Sequence, residues 1–265
     1  MSIEITTVHS KASMSTATGG KTAQQHLCAR LIDKLGGGCS SALGIKLASM
    51  ESEEVFKWFL ASVLFGARIG EGIAMKTYRE FEKAGVFSPR SILETDWQGL
   101  VDILDRGGYV RYDFKTATKL LEIMRTLTDR YQGDLNRLHF FARDQRDLEE
   151  KLRNLGKGIG PVTVNIFLRE LRDIWEKAEP PLSEPALLAA RNLGLVQATD
   201  VAAALEELRT MREANYQDEL SFSNLETVLV ILGKNYCQKK RCLACPVKED
   251  CQSHQRGGAQ NDKES

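Results

Sequence analysis

Three observations predict an all-α fold for this 265-residue chain. Apolar residues recur at helical spacing, strand-type runs are close to absent, and the glycine-rich breaks separate amphipathic segments instead of closing hairpins. Hydrophobic residues make up 42% of the chain and charged residues 27%, which suits a packed core and argues against global disorder. At roughly 150 residues per domain, the length allows one large domain or two small ones.

The elements follow in order. Eight of the first twenty residues are Ser or Thr, a composition expected of a polar tail. Phe56, Phe59, Leu60, Val63 and Leu64 then recur at i, i+3, i+4, i+7 and i+8, one face of a helix. Ile73, Thr77, Tyr78 and Phe81 continue the pattern, and Phe114, Ala117, Leu121, Met124 and Tyr131 extend it along a helix ended by Gly133. Leu148, Leu152 and Leu155 form another stripe. Ser223 to Glu226 fits a capping box ahead of the apolar run Val228 to Leu232. The segment after Cys251 is again polar.

Lys plus Arg and Asp plus Glu both total 36. Zero net charge removes the argument for a nucleic-acid partner that a strongly basic chain would carry, so any anion must be held locally. No apolar run approaches the ~20 residues of a membrane span. The first twenty residues lack the apolar region of a secretory signal. The expected setting is cytoplasmic (or nucleoid or nuclear), not secreted.

Two segments carry chemistry. In LEEKLRNLGKGIGPVTVNIFLREL, an amphipathic helix runs into Gly156-Lys157-Gly158-Ile159-Gly160, and a second helix opens at Pro161. Glycines permit the tight turn and let a phosphate approach the backbone. The second helix aims its free N–H groups and positive dipole end at that anion. An ordinary helix–turn–helix with a glycine cap is the plainer reading of the segment. A Walker A loop is excluded, since no Gly-Lys-Ser/Thr follows, and a helix rather than a strand precedes the turn, unlike a Rossmann motif.

The second segment, CQKKRCLACPVKEDC, places Cys237, Cys242, Cys245 and Cys251 at C-x4-C-x2-C-x5-C. Four clustered thiolates in a chain without an export signal point to a metal site rather than disulfides. One compact loop favours a [4Fe–4S] cluster, with Zn as the alternative. Lys239, Lys240 and Arg241 lie between the first two cysteines, three cations that a rigid cluster could present to a phosphate backbone.

Together the hairpin and the cysteine loop resemble the helix–hairpin–helix DNA glycosylases of the endonuclease III superfamily, over about residues 22–252. The family motif L-P-G-[VI]-G-x-x-T-A-N matches at Gly158, Ile159, Gly160, Thr163 and Asn165. FLASVLFGARIGEGIAMKTYREF looks like the bundle helix before the family's lesion-probing loop, and GGYVRYDFKTATKLLEIM resembles its G-x-Y-x-x-K-A helix. The family's usual cluster spacing, C-x6-C-x2-C-x5-C, is two residues longer in the first gap.

The resemblance implies two all-α lobes with double-stranded, damaged DNA and a flipped base between them. Residues 51–165 would form the six-helix bundle ending in the hairpin. Residues 21–50 and 166–252 would form the discontinuous iron–sulfur lobe, with polar tails at 1–20 and 253–265. Arg68, Gly156, Lys157, Gly158, Gly160, Thr163, Lys239, Lys240 and Arg241 would meet DNA, with Arg68 as the wedge that fills the place of the flipped base.

Two positions depart from the family. Val162 stands where bifunctional members carry the Schiff-base lysine, which removes a lyase route through that residue. Ser183 stands where the essential Asp is expected, and serves equally well as a helix N-cap. Glu184, Glu71 and Asp113 are the candidate relocated acids. The resemblance therefore implies a monofunctional DNA N-glycosylase. The alternative is a catalytically degenerate, iron–sulfur DNA-recognition module, and a redox or structural iron–sulfur protein is the third class.

Overall fold

The computed structural model describes residues 18–216 and 221–261. Residues 1–17 and 262–265 of the expected tails lie outside that range. Thirteen α-helices are present among the described residues and no strand, as the periodicity predicts. In order they are α1 (Thr18–Leu35), α2 (Cys39–Ala42), α3 (Ser52–Phe65), α4 (Glu71–Lys83), α5 (Pro89–Gly107), α6 (Asp113–Tyr131), α7 (Leu135–Phe141), α8 (Gln145–Arg153), α9 (Pro161–Leu171), α10 (Glu184–Leu193), α11 (Val201–Tyr216), α12 (Phe222–Leu232) and α13 (Gln252–Asn261). None is long and apolar enough to cross a membrane.

The buried side chains form two cores. The first runs from Leu43 to Ala178 and collects α3 to α9. Its spine is α3, where Val55, Phe56, Trp58, Phe59, Leu60, Val63 and Leu64 are all buried. Trp58 donates its indole N–H to the carbonyl of Phe167 at 3.0 Å, fixing α3 against α9. The second core joins both ends of the chain. Leu27, Cys28 and Leu31 of α1 pack with α10, α11, α12 and Val247. The boundary expected at residues 165/166 falls inside α9, whose Phe167, Leu168 and Leu171 belong to the first core.

Local chemistry sets the helix ends. Ser88 caps α5 in a capping box with Ser91, and Asp144 caps α8 by accepting the N–H of Asp147 at 2.8 Å. The kink in α5 sits at Asp96, whose carboxylate accepts the N–H of Gly99 at 3.0 Å and recaps the second half. Two expectations are corrected. The cap of α12 is Ser221, which accepts the N–H of Asn224. Glu226 therefore lies past the first turn, with its carboxylate buried instead of reaching back to Ser223. Phe114 does not join the buried stripe of α6. It is 58% exposed and packs on Trp97 at 5.3 Å, while Ala117, Leu120, Met124 and Leu127 turn inward.

Close backbone approach locks α10 to the end of α12. A β-carbon at Gly233 would lie 2.0 Å from the carbonyl oxygen of Pro185, a backbone atom that cannot swing aside. Gly72, in the first turn of α4, has open space around it. Gly233→Ala should lower stability by about 2 kcal/mol or more through overpacking. Gly72→Ala should raise it by roughly 0.5 kcal/mol through helix propensity. Urea unfolding of the two variants checks this, and equal midpoints would remove the proposed contact.

Candidate functional site

The turn between α8 and α9 is built as the sequence suggests. Gly156 packs on α6, where a β-carbon would lie 2.7 Å from Cγ1 of Ile123. Gly158 has φ +93°, a conformation glycine adopts without strain. Ile159 is buried, which leaves Lys157 and Gly158 exposed at the tip. Gly160 is the N-cap of α9 and offers no side-chain acceptor to the first-turn amides, so they stay open to an external anion. The N–H of Lys157 is already used, donated to Oε1 of Glu122 at 3.1 Å.

Thr163, expected to face DNA, is only 3% exposed. It packs against Gly66, where a β-carbon would clash with its hydroxyl, and this contact seats the loop after α3 beside the hairpin. Arg68 is exposed in that loop, and Glu71 is exposed where α4 begins. Asp113 lies apart, buried in the first turn of α6. There it hydrogen-bonds with Asp105, whose carboxyl is held above its usual range by desolvation and then by this partner.

Beside the N-terminal half of α9 lies a cavity of about 450 Å³, walled by α8, α9, the strap 180–185 and the end of α12. The strap is held by α9 itself. Asn165 donates its side-chain N–H to the carbonyl of Pro181 at 2.8 Å, and Arg172 donates to that of Pro180 at 2.6 Å. Val162 and Ser183 both line this cavity. These two positions, both singled out in the sequence, thus share one pocket. Ser183 is the N-cap of α10, yet its hydroxyl makes no capping bond and is buried without a partner.

Glu184 lines the cavity and is exposed. Glu149 of α8, not singled out in the sequence, is a second carboxylate on its wall, and Arg153, Arg169 and Lys234 add cations. A small annex of about 70 Å³ shares Ile166, Arg169, Val230 and Lys234 with the main cavity, and Glu71 lines it together with Cys39. No sequence signal marked Arg169, because its burial depends on α12, some sixty residues away.

The cysteine loop closes through short turns. The N–H of Lys240 donates to the carbonyl of Cys237 at 3.1 Å, and the N–H of Cys245 to that of Cys242 at 3.1 Å. The thiol of Cys251 donates to the carbonyl of Asn192 at 3.3 Å. From α1, Arg30 pairs with Asp250 and Lys34 donates to the carbonyl of Pro246 at 2.7 Å, pinning the loop to the other end of the chain. All four thiols are free. Burial pushes those of Cys237 and Cys245 up, and repulsion from the neighbouring thiolates adds to it. The four sulfurs therefore stand within electrostatic reach of one another. Among the described residues, no three metal-binding side chains are already drawn to ligation distance. A donor set of four soft thiols on a short, turn-rich loop suits iron–sulfur or zinc rather than a hard cation. Lys239, Lys240 and Arg241 are exposed.

No family model and no curated protein sequence matches this chain. Solved structures similar to it include a non-covalent endonuclease III–DNA complex, with a TM-score of 0.51 and 16% identity over 93% of this chain and 100% of that one. A trapped endonuclease III–DNA covalent intermediate, the estranged-adenine complex, matches with a TM-score of 0.49 and 16% identity over 92% of this chain and 99% of that one. The chain has an endonuclease III-like, all-α fold along nearly its whole length.

One lysine near the turn is perturbed. The stem of Lys119, on α6, lies under Gly158, where a β-carbon would sit 3.6 Å from its Cδ. Desolvation pushes its amine down from 10.5 to about 8. Below pH 8 the folded protein carries this charge at a cost. Between about 8 and 10.5 the unfolded chain keeps a proton that the folded one has lost, so stability rises with pH. The gain should be on the order of 2 kcal/mol across that window and absent in Lys119→Met. Parallel stability–pH curves for the two proteins would refute the burial of this amine.

Proposed function

We propose that this chain is a DNA-repair protein that binds damaged duplex DNA, receives a flipped base in the cavity between α9 and the strap 180–185, and excises it as a monofunctional DNA N-glycosylase. The observation that carries this reading is the adjacency of the uncapped glycine hairpin to that cavity on one helix. The hairpin holds a backbone phosphate through Lys157 and the amides that open α9. A nucleotide rotated out beside that phosphate enters the cavity, whose walls of Val164, Pro181, Leu182 and Val230 suit a flat ring. Arg68, exposed on the loop seated against Thr163, occupies the vacated stack.

Excision needs a carboxylate near the sugar to steady oxocarbenium charge and orient water. Ser183 carries no charge for this, so Glu184 takes the task, with Glu149 lining the same cavity. Glu71 opens only onto the annex, and Asp113 is remote. Val162 has no nucleophile, so the sugar–phosphate chain is left intact.

The four cysteines would hold a [4Fe–4S] cluster, a rigid support that fixes Lys239, Lys240 and Arg241 toward phosphates. Iron and acid-labile sulfide in equal amounts, lost together in Cys242→Ser, is the expected analysis. Stoichiometric zinc would select the alternative metal.

Product analysis on duplexes carrying oxidised, alkylated, deaminated or abasic sites tests the enzymatic claim. Base release without strand cleavage is expected, falling at least a hundredfold in Glu184→Gln. No release from any duplex, with binding intact, would favour the second reading, a recognition module, for which the serine in place of a carboxylate at residue 183 is the supporting observation. Binding itself should weaken steeply with salt, and Lys157→Glu should cost about tenfold in affinity and flatten the salt slope by about 1. A flat salt dependence would contradict both readings.

A further inference from the structure

Arg169 is an anomaly at the floor of the cavity. It is 4% exposed, and its Nε is buried with no hydrogen-bond partner. Its neighbours on the same helix turn are all engaged. Glu170 accepts the N–H groups of Cys39 and Ser40 at 2.7 and 2.9 Å. Arg172 donates twice to one oxygen of Glu226, at 3.0 and 2.9 Å. Glu226 is a buried countercharge within electrostatic reach of Arg169, and its second oxygen is itself without a hydrogen-bond partner. No ion pair or hydrogen bond engages the Arg169 side chain among the described residues, and the residue lines both the main cavity and its annex. Lys234 lines both as well. The cavity's carboxylates, Glu149, Glu184 and the annex's Glu71, sit at more open positions, with Glu71 and Glu184 exposed.

A buried cation without an acceptor is costly, and native structures satisfy such groups through water or ligand. Between its charged and polar residues the cavity has aliphatic and proline wall, from Val164, Ile166, Leu182, Val230 and Pro181 among others. A ligand that fits has flat apolar faces and an edge rich in acceptors or negative charge, directed at Arg169. A guanidinium meets a carboxylate in a two-pronged, charge-assisted geometry. Val162 and Ser183, both on the cavity wall, carry no cation to draw such an edge away from Arg169 and no anion to repel it.

We infer that the cavity selects a base carrying an anionic edge, a carboxylated pyrimidine in the flipped position, with Arg169 as its anchor and Lys234 as a second cation. The placement of that base in DNA rests on the proposed function, whereas the anion preference rests on Arg169 alone.

The test is a binding competition at fixed salt between duplexes containing one 5-carboxycytosine, one 5-hydroxymethylcytosine or unmodified cytosine, alongside titration with free 5-carboxy-2′-deoxycytidine. The carboxylated duplex should bind at least tenfold more tightly than the other two. Arg169→Met should abolish the preference while leaving the melting temperature unchanged or raised, because an apolar side chain of similar length replaces an unpaired buried charge. A structural arginine would instead lower the melting temperature on removal. Lys234→Gln, at an exposed site, should narrow the preference several-fold and guards against a fold defect in the first variant. Equal affinity for all three duplexes would overturn the inference and leave the DNA reading standing. Arg169-dependent binding of the free nucleoside, with no duplex bound, would uphold the inference and overturn the DNA reading. A preference that survives in Arg169→Met would also overturn it.

Discussion

The ion-paired turn that ends α9 holds the two cores in one arrangement. Residues 170–173 reach α2, the segment around Glu179 and α12 of the second core. Glu170 caps α2 through two backbone amides. Arg172 grips Glu226 of α12 along with Glu179. Asp173 accepts the hydroxyl of Ser221 and the N–H of Ser223 at the start of α12, where the helix dipole favours an anion. Arg172 and Glu226 are almost wholly buried. Such a pair adds little net stability over apolar packing, but losing one partner costs about 3–5 kcal/mol, so it enforces one docking geometry. Desolvation holds the Glu226 carboxyl above its usual range even with Arg172 opposing it.

That geometry makes the cavity. α9 has its glycine hairpin at one end and the ion-paired turn at the other, and the strap 180–185 is laced to it by Asn165 and Arg172. The far end of the strap is pinned where Pro185 meets Gly233. Fixing the turn therefore fixes the distance between Val162 and Ser183. The same helix then presents open first-turn amides at one end and a wall of the cavity along its side.

Much of this was legible in sequence, and the reason is locality. The stripe through Phe59 and Leu60, the Leu148–Leu152–Leu155 stripe and the glycine hairpin each depend on residues within one or two turns, so spacing alone reveals them. The motif resemblance drew attention to Val162 and Ser183, and both line one pocket. Spacing misled at Glu226, which looks like a capping-box acid. Its partner Arg172 lies 54 residues away, and only tertiary packing turns it inward. Phe114 departs from its stripe for the same reason, lifted onto Trp97, and Thr163 is covered by Gly66. Glu149 and Arg169 carried no local mark at all. A surface-type residue on an amphipathic helix becomes a pocket residue only when a second element closes over it.

Hydrogen–deuterium exchange with and without a duplex tests most directly whether the hairpin and the strap form one nucleic-acid site. The account predicts that duplex slows exchange together in the 156–164 segment, the 66–73 loop and the strap 180–187. Protection confined to other surfaces, with these three segments unchanged in a protein that has bound the duplex, would contradict it.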